Sequence, residues 1–146
     1  MATVQDLLSV KGSQVFSVAP DATVLRAAQI MNEYKIGSLV VMESNLVKGI
    51  ISERDILRRV VVPKRDSSAV LVRDVMTSEV VCGHLDSSVD EVRTLMKERK
   101  FRHLPIVDFG GNLCGMISIG DVNAHETSNK EMTIHLLEEY IHSHAE

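Results

Sequence analysis

Apolar residues along the chain recur in two alternating rhythms. In "DATVLRAAQIMNEYKI" (Asp21–Ile36), Val24, Ala28 and Met31 return at helical spacing. Val89, Val92 and Met96 do the same in "DSSVDEVRTLMKERKF" (Asp86–Phe101). Asp21 and Asp86 stand where an N-cap oxygen would meet the open N–H groups of the first turn. Each helix is preceded by a short apolar segment, "VFSVAP" or "VVCGHL". Each is followed by two β-branched runs, "IGSLVVM" and "LVKGIIS", then "FRHLPIVD" and "NLCGMIS". A second helix begins at "ERDILRRVV" and again at "IGDVNAHE". The pattern predicts β-α-β-β-α, written twice.

The two copies align in three collinear blocks. "VQDLL" (Val4–Leu8) matches "VRDVM" (Val72–Met76) at an offset of 68, the helical blocks match at 65, and "GIISERDI" (Gly49–Ile56) matches "GMISIGDV" (Gly115–Val122) at 66. The chain is a tandem duplication. The predicted organisation is one repeat over 1–62, a polar, turn-rich linker over 63–71 around "PKRDSSA", a second repeat over 72–126, and a tail over 127–146. In the tail, Ile134, Leu137 and Ile141 share one face of an amphipathic helix, flanked by Leu136 and Tyr140. A copy of about 60 residues buries too little surface to be comfortably stable alone. The fold class expected is therefore α/β (α+β), with the copies packed sheet to sheet in pseudo-two-fold symmetry around a shared core.

Composition narrows the function. Aromatic residues make up 3% of the chain, with no Trp, so the core is aliphatic. The formal net charge is −4 and there is no basic stripe, which argues against nucleic acid as a partner. No apolar run reaches the roughly 20 residues of a membrane span, and "MATVQDLLSV" does not read as a secretory signal; a cytoplasmic location is expected. Cys82 and Cys114 lack ligand spacing and read as buried, reduced thiols. His84, His125, His135, His142 and His144 form no pattern of metal ligands, and no nucleophile elbow or Walker loop is present. "DFGGN" (Asp108–Asn112) reads as a turn between strands. No enzymatic activity, catalytic cofactor or metal is expected.

The repeated Gly-x-x-Ser-x-x-Asp has two readings. Ser52 and Asp55, like Ser118 and Asp121, have the spacing of a capping box, with Ser capping a helix and the acid bonding back to it. The same groups suit a nucleotide: a Ser hydroxyl and open N–H groups favour an anion, and an Asp one turn on can accept both hydrogen bonds of a ribose diol. Ile36 and Val40, or Phe101 and Leu104, would wall the adenine. The glycine frees the strand's last turn for close approach.

These segments together resemble the tandem cystathionine-β-synthase (CBS) domain pair, or Bateman module, from about Val4 to His125. "TIHLLEEYIH" resembles the tail of small stand-alone members. The resemblance implies an adenosine ligand (AMP, ADP or ATP, alternatively NAD(H) or S-adenosylmethionine) between the repeats. It places Asp55 and Asp121 at ribose hydroxyls, Ser52 and Ser118 at ribose or phosphate, and Arg54 at phosphate. Backbone at Ile36, Gly37 and Ser38, and from Phe101 to His103, would meet the base edge. Arg102 and His103 replace Gly37 and Ser38 in the second copy and would reach phosphate in the pocket of Asp55, making that the stronger site. The family often forms dimers, so a homodimer is expected, with an unidentified regulated protein as possible partner. The function implied is a sensor of cellular energy state; the alternative is a dimeric scaffold that needs no ligand.

Overall fold

The computed structural model describes residues 2–12 and 14–126. The tail residues Ile134, Leu136, Leu137, Tyr140 and Ile141, with His135, His142 and His144, lie outside them. Helix α1 (Val4–Lys11) starts at Thr3, whose side chain and Asp6 form a reciprocal capping box. The first copy then runs through β1 (Ser17–Val18), α2 (Val24–Tyr34), β2 (Ser38–Glu43), β3 (Leu46–Ser52) and α3 (Glu53–Ile56), which continues into a π-helical turn at Leu57–Val61. The second runs through α4 (Val72–Val75), α5 (Val89–Arg99), β4 (His103–Val107) and β5 (Leu113–Ser118), with residues 119–126 helical as α6.

The strands form two sheets, ordered β1-β2-β3 and β4-β5. Their antiparallel hairpins are equivalent, with Ser38 opposite Ser52 in one and His103 opposite Ser118 in the other. The first hairpin turns on Ser44 and Asn45, both at positive φ, the geometry of a two-residue loop between right-twisted strands. The second turns on Asp108–Asn112, where Asp108 Oδ1 accepts the amides of Gly110 and Asn112. The segment before α5 does not become a full strand. It makes a single parallel bridge, Gly83 to Ile106, at a glycine whose added Cβ would lie 2.8 Å from Leu104 Cδ2.

Two details differ from the sequence expectation. The N-caps are Thr23 and Ser88, two residues beyond Asp21 and Asp86. Thr23 and Ser88 are held extended by bridges to Leu71 and Thr3, so the helices cannot begin earlier. Ala27, not Ala28, is the fully enclosed small residue of α2.

The core is also arranged differently. The buried side chains form two clusters, not one, and each is completed by the leading helix of the other copy. Val4, Leu7 and Leu8 of α1 pack with Val89, Val92, Met96, Leu104, Ile106 and Ile117. Val72 and Val75 of α4 pack with Val24, Ala27, Met31, Leu39, Val41 and Ile51. Backbone bonds repeat the exchange: Val4 N–H to Ser87 carbonyl (2.9 Å) and Val89 N–H to Ala2 carbonyl (3.0 Å), then Val24 N–H to Val70 carbonyl (2.9 Å) and Val72 N–H to Ala22 carbonyl (2.8 Å). This reciprocity is the pseudo-two-fold relation. With each enclosed aliphatic side chain contributing about 1.5–3 kcal/mol, the exchange ties the stability of each copy to the other.

Candidate functional site

Ser52 and Ser118 end β3 and β5, and each begins a helix. The capping box forms in both copies. Asp55 Oδ2 accepts the Ser52 N–H (2.9 Å) and hydroxyl (3.1 Å), while the Asp55 N–H donates to Ser52 Oγ at 3.2 Å. At Ser118 and Asp121 the same three distances are 2.8, 2.9 and 3.1 Å. The cap engages Oδ2, and among the described residues Asp55 Oδ1 accepts a hydrogen bond from the Thr77 hydroxyl alone, at 3.4 Å. Capping therefore uses one oxygen of the carboxylate and does not consume the other.

The glycine serves the exchange of helices. The segment leaving α4 pairs with β3 through reciprocal Ile50–Thr77 backbone bonds of 2.9 Å. A Cβ on Gly49 would lie 2.6 Å from the Thr77 carbonyl oxygen and 2.8 Å from Met76 Sδ. In the other copy, a Cβ on Gly115 would lie 2.9 Å from Leu8 Cδ2. Gly, Ser and Asp thus respectively admit the crossing segment, end the strand and cap the helix that carries the carboxylate.

A cleft of about 570 Å³ opens at Asp55, within the size range of small-molecule sites. The first copy supplies Gly37, Ser52, Glu53, Arg54 and Asp55; the crossing segment supplies Thr77, Glu79, Val80 and Val81; the second copy supplies Lys100, Phe101, Arg102 and His103. Ile50, Val80, Val81 and Phe101 are its apolar surface, and Arg54, Lys100 and Arg102 its cations. Those three cations also border an adjoining groove of about 410 Å³ that adds Arg93 and Lys97. His103 is half-buried, and its pKa lies below the ordinary 6.5, chiefly through burial, then through the charges of Lys11 and Arg102, against the opposing pull of Asp121 and Glu53.

The carboxylate of Asp121 has a different neighbour. Lys11 Nζ, from the last turn of α1, lies 2.6 Å from Asp121 Oδ2 and donates to the Met116 carbonyl at 2.7 Å. Burial alone would raise the pKa of Asp121, but hydrogen bonds from Lys11 and Ser118 and the Lys11 charge outweigh it and hold the value below the ordinary 3.8.

Gly37, Ser52, Arg54, Asp55, Arg102 and His103 thus share one cleft, while Ser118 and Asp121 stand together at the other carboxylate. Ile36 and Ser38 do not line the first cleft. Ile36 packs on the first core and borders a separate groove between α2 and α3, and Ser38 is paired with Ser52 in the ladder. The expected adenine wall also changes, because Val40 and Leu104 are 0% exposed and cannot touch a ligand. Thr77, Glu79, Val80 and Val81 went unremarked in the sequence, although a glycine repeated before Ser and Asp signals that a backbone crosses there. Cys82 and Cys114 are half-buried, not fully enclosed. Among the described residues, no group of three or more His, Cys, Asp or Glu could hold a metal ion, and no helix is long and apolar enough to cross a membrane.

The sequence profile of the CBS domain matches residues 3–62 and 72–125. The chain is 34% identical over 130 residues to the CBS domain-containing protein YhcV of Bacillus subtilis, covering 89% of each. Its structure superposes on the CBS-domain containing protein ATU1752 from Agrobacterium tumefaciens with a TM-score of 0.80 at 36% identity, covering 86% of this chain and 99% of that one. It also superposes on CBSX2, solved in complex with AMP, with a TM-score of 0.74 at 26% identity, covering 89% of this chain and 99% of the other.

Proposed function

The chain belongs to the CBS-domain family as a tandem pair, and on that premise we propose that it is a regulatory module whose Asp55 cleft binds an adenosine phosphate. The observation that carries this reading is the convergence in one cleft of the Asp55 carboxylate, an apolar surface and three cations from both copies. Asp55 Oδ1 accepts the ribose hydroxyls, Ile50, Val80, Val81 and Phe101 take the base, and Arg54, Arg102 and His103 meet phosphate. AMP bound to CBSX2, a protein of the same fold, supports the ligand class. Because the cleft draws on both copies and the crossing segment, a ligand favours the arrangement that brings them together, and differential affinity of this kind switches a sensor.

A second reading, a dimeric scaffold that needs no ligand, draws on one feature: Leu57, Val61 and Val62, on and just beyond the helix that begins at Asp55's cap, are 54%, 58% and 69% exposed.

Thermal unfolding against AMP, ADP, ATP, NAD, NADH and S-adenosylmethionine separates the two. A ligand at 100 times its dissociation constant adds about 2.7 kcal/mol, a rise of several degrees for a domain of this size. Asp55→Asn retains a capping acceptor and removes the charge, so it should weaken binding roughly 10- to 150-fold, the worth of a charge-assisted hydrogen bond. No shift with any of the six ligands favours the scaffold, and unchanged affinity in Asp55→Asn overturns the assignment of the ribose.

A further inference from the structure

We propose that Lys11 closes the second carboxylate, Asp121, to a ribose diol, so that the chain takes one nucleoside phosphate and not two. This rests on the reading of the Asp55 cleft given above. Lys11 is placed by the fold and does not reach Asp121 by chance rotation of a loose side chain. Leu8 seats against Gly115, and Lys11 follows three residues later on the same helical face. The ammonium is then fixed at two points of the second copy, 2.6 Å from Asp121 Oδ2 and 2.7 Å from the Met116 carbonyl oxygen.

A vicinal diol binds a carboxylate by donating two hydrogen bonds. A lysine ammonium is also purely a donor; it bonds Oδ2, on the side already used by the cap, and acts on the diol's oxygen by neutralising the whole carboxylate with a full positive charge that the diol lacks. Asp121 Oδ2 already accepts from the Ser118 amide and hydroxyl, and Lys11 adds a third partner. In the first cleft the segment leaving α4 is not helical beyond Val75, and the residue it brings to the lining at the same distance in sequence is Glu79. Glu79 brings no donor to compete for Asp55, whose Oδ1 meets, among the described residues, the uncharged Thr77 hydroxyl. A lysine ending one crossing helix, and a glutamate on the extended segment after the other, therefore make two similar carboxylates unequal.

The test is calorimetric titration of the full chain with AMP and, separately, ATP. Wild type should take one ligand per chain, bound about 10- to 150-fold more weakly by Asp55→Asn. Lys11→Met keeps the aliphatic stem, removes the ammonium, and should take two. The added site should vanish again in Lys11→Met with Asp121→Asn. Lys11→Gln, also uncharged, should behave alike and serves if the Met variant folds poorly. Two ligands on wild type, or one on both Lys11 variants, overturns the inference while leaving the Asp55 reading intact. One ligand retained at unchanged affinity in Asp55→Asn, or no binding by wild type and the Lys11 variants alike, overturns both.

Discussion

The two halves of this molecule share the register of their hairpins and the Ser–Asp capping box, yet the crossing segments bring different side chains to the two carboxylates. Asp55 looks into a cleft whose crossing segment carries Thr77 and Glu79, whereas Asp121 is held by Lys11 from the matching segment. The backbone plan is conserved between the copies because each crossing segment must pass a glycine and complete the other copy's core. The side chains beyond the glycine are not bound by that requirement. Duplication of a fold is therefore a weaker statement than duplication of a site.

The largest effect should come from loosening one crossing helix. Leu8 is 7% exposed and belongs by sequence to the first copy, but it packs in the core of the second. Leu8→Ala should cost about 2–5 kcal/mol. If the exchange is as described, hydrogen exchange should quicken in β4, β5 and α5 before it quickens in β2 and β3. Faster exchange confined to the first sheet would contradict it.

The two glycines sharpen the same comparison. At Gly49 an added methyl meets a backbone carbonyl oxygen, with Met76 Sδ close by, and the oxygen cannot move without breaking the Ile50–Thr77 pair. At Gly115 it meets only the tip of Leu8, a side chain with rotamer freedom. Gly49→Ala should cost about 1–3 kcal/mol and Gly115→Ala about 1 kcal/mol or less, measured by urea unfolding. Equal losses would mean that the two crossings are packed alike.

Much of this was legible in the chain. The strand pairs β2–β3 and β4–β5 and the helices α2 and α5 follow from local periodicity, and the doubling from the three aligned blocks. The exchange of α1 and α4 was not legible, because a repeat offset reveals that two segments are equivalent without saying which core either enters. Lys11 escaped for a related reason: its partner lies 110 residues away, and no local pattern links them. The N-caps were misplaced because Asp21 and Thr23 are both capping types, and only the bridge to Leu71 decides between them. Seven of the expected cleft residues, Phe101 among them, were reachable because they sit at strand ends next to the motif. Thr77 to Val81 were not, since their position depends on the crossing.

The smallest effect is electrostatic and reads the Lys11–Asp121 pair through pH. The pKa of Asp121 is lowered by folding, so its contribution is fully present above the ordinary 3.8 and is lost as pH falls through the folded value. The side chains of Lys11 and Asp121 are 35% and 25% exposed, and the pair should contribute about 1 kcal/mol or less. His103 adds a second step. Its pKa is depressed, first by burial and then by Lys11 and Arg102, with Asp121 and Glu53 opposing. As pH drops below 6.5 the unfolded chain takes up a proton that the folded chain refuses, and stability falls. Lys11→Met removes one cause of that refusal and one partner of Asp121. The stability advantage of wild type over Lys11→Met should therefore be greatest near pH 7, narrow as pH falls below 6.5, and narrow again below about pH 4. Urea unfolding of both proteins from pH 7.5 to 3.5 measures it; a gap that stays constant across that range would mean that Lys11 acts on neither group.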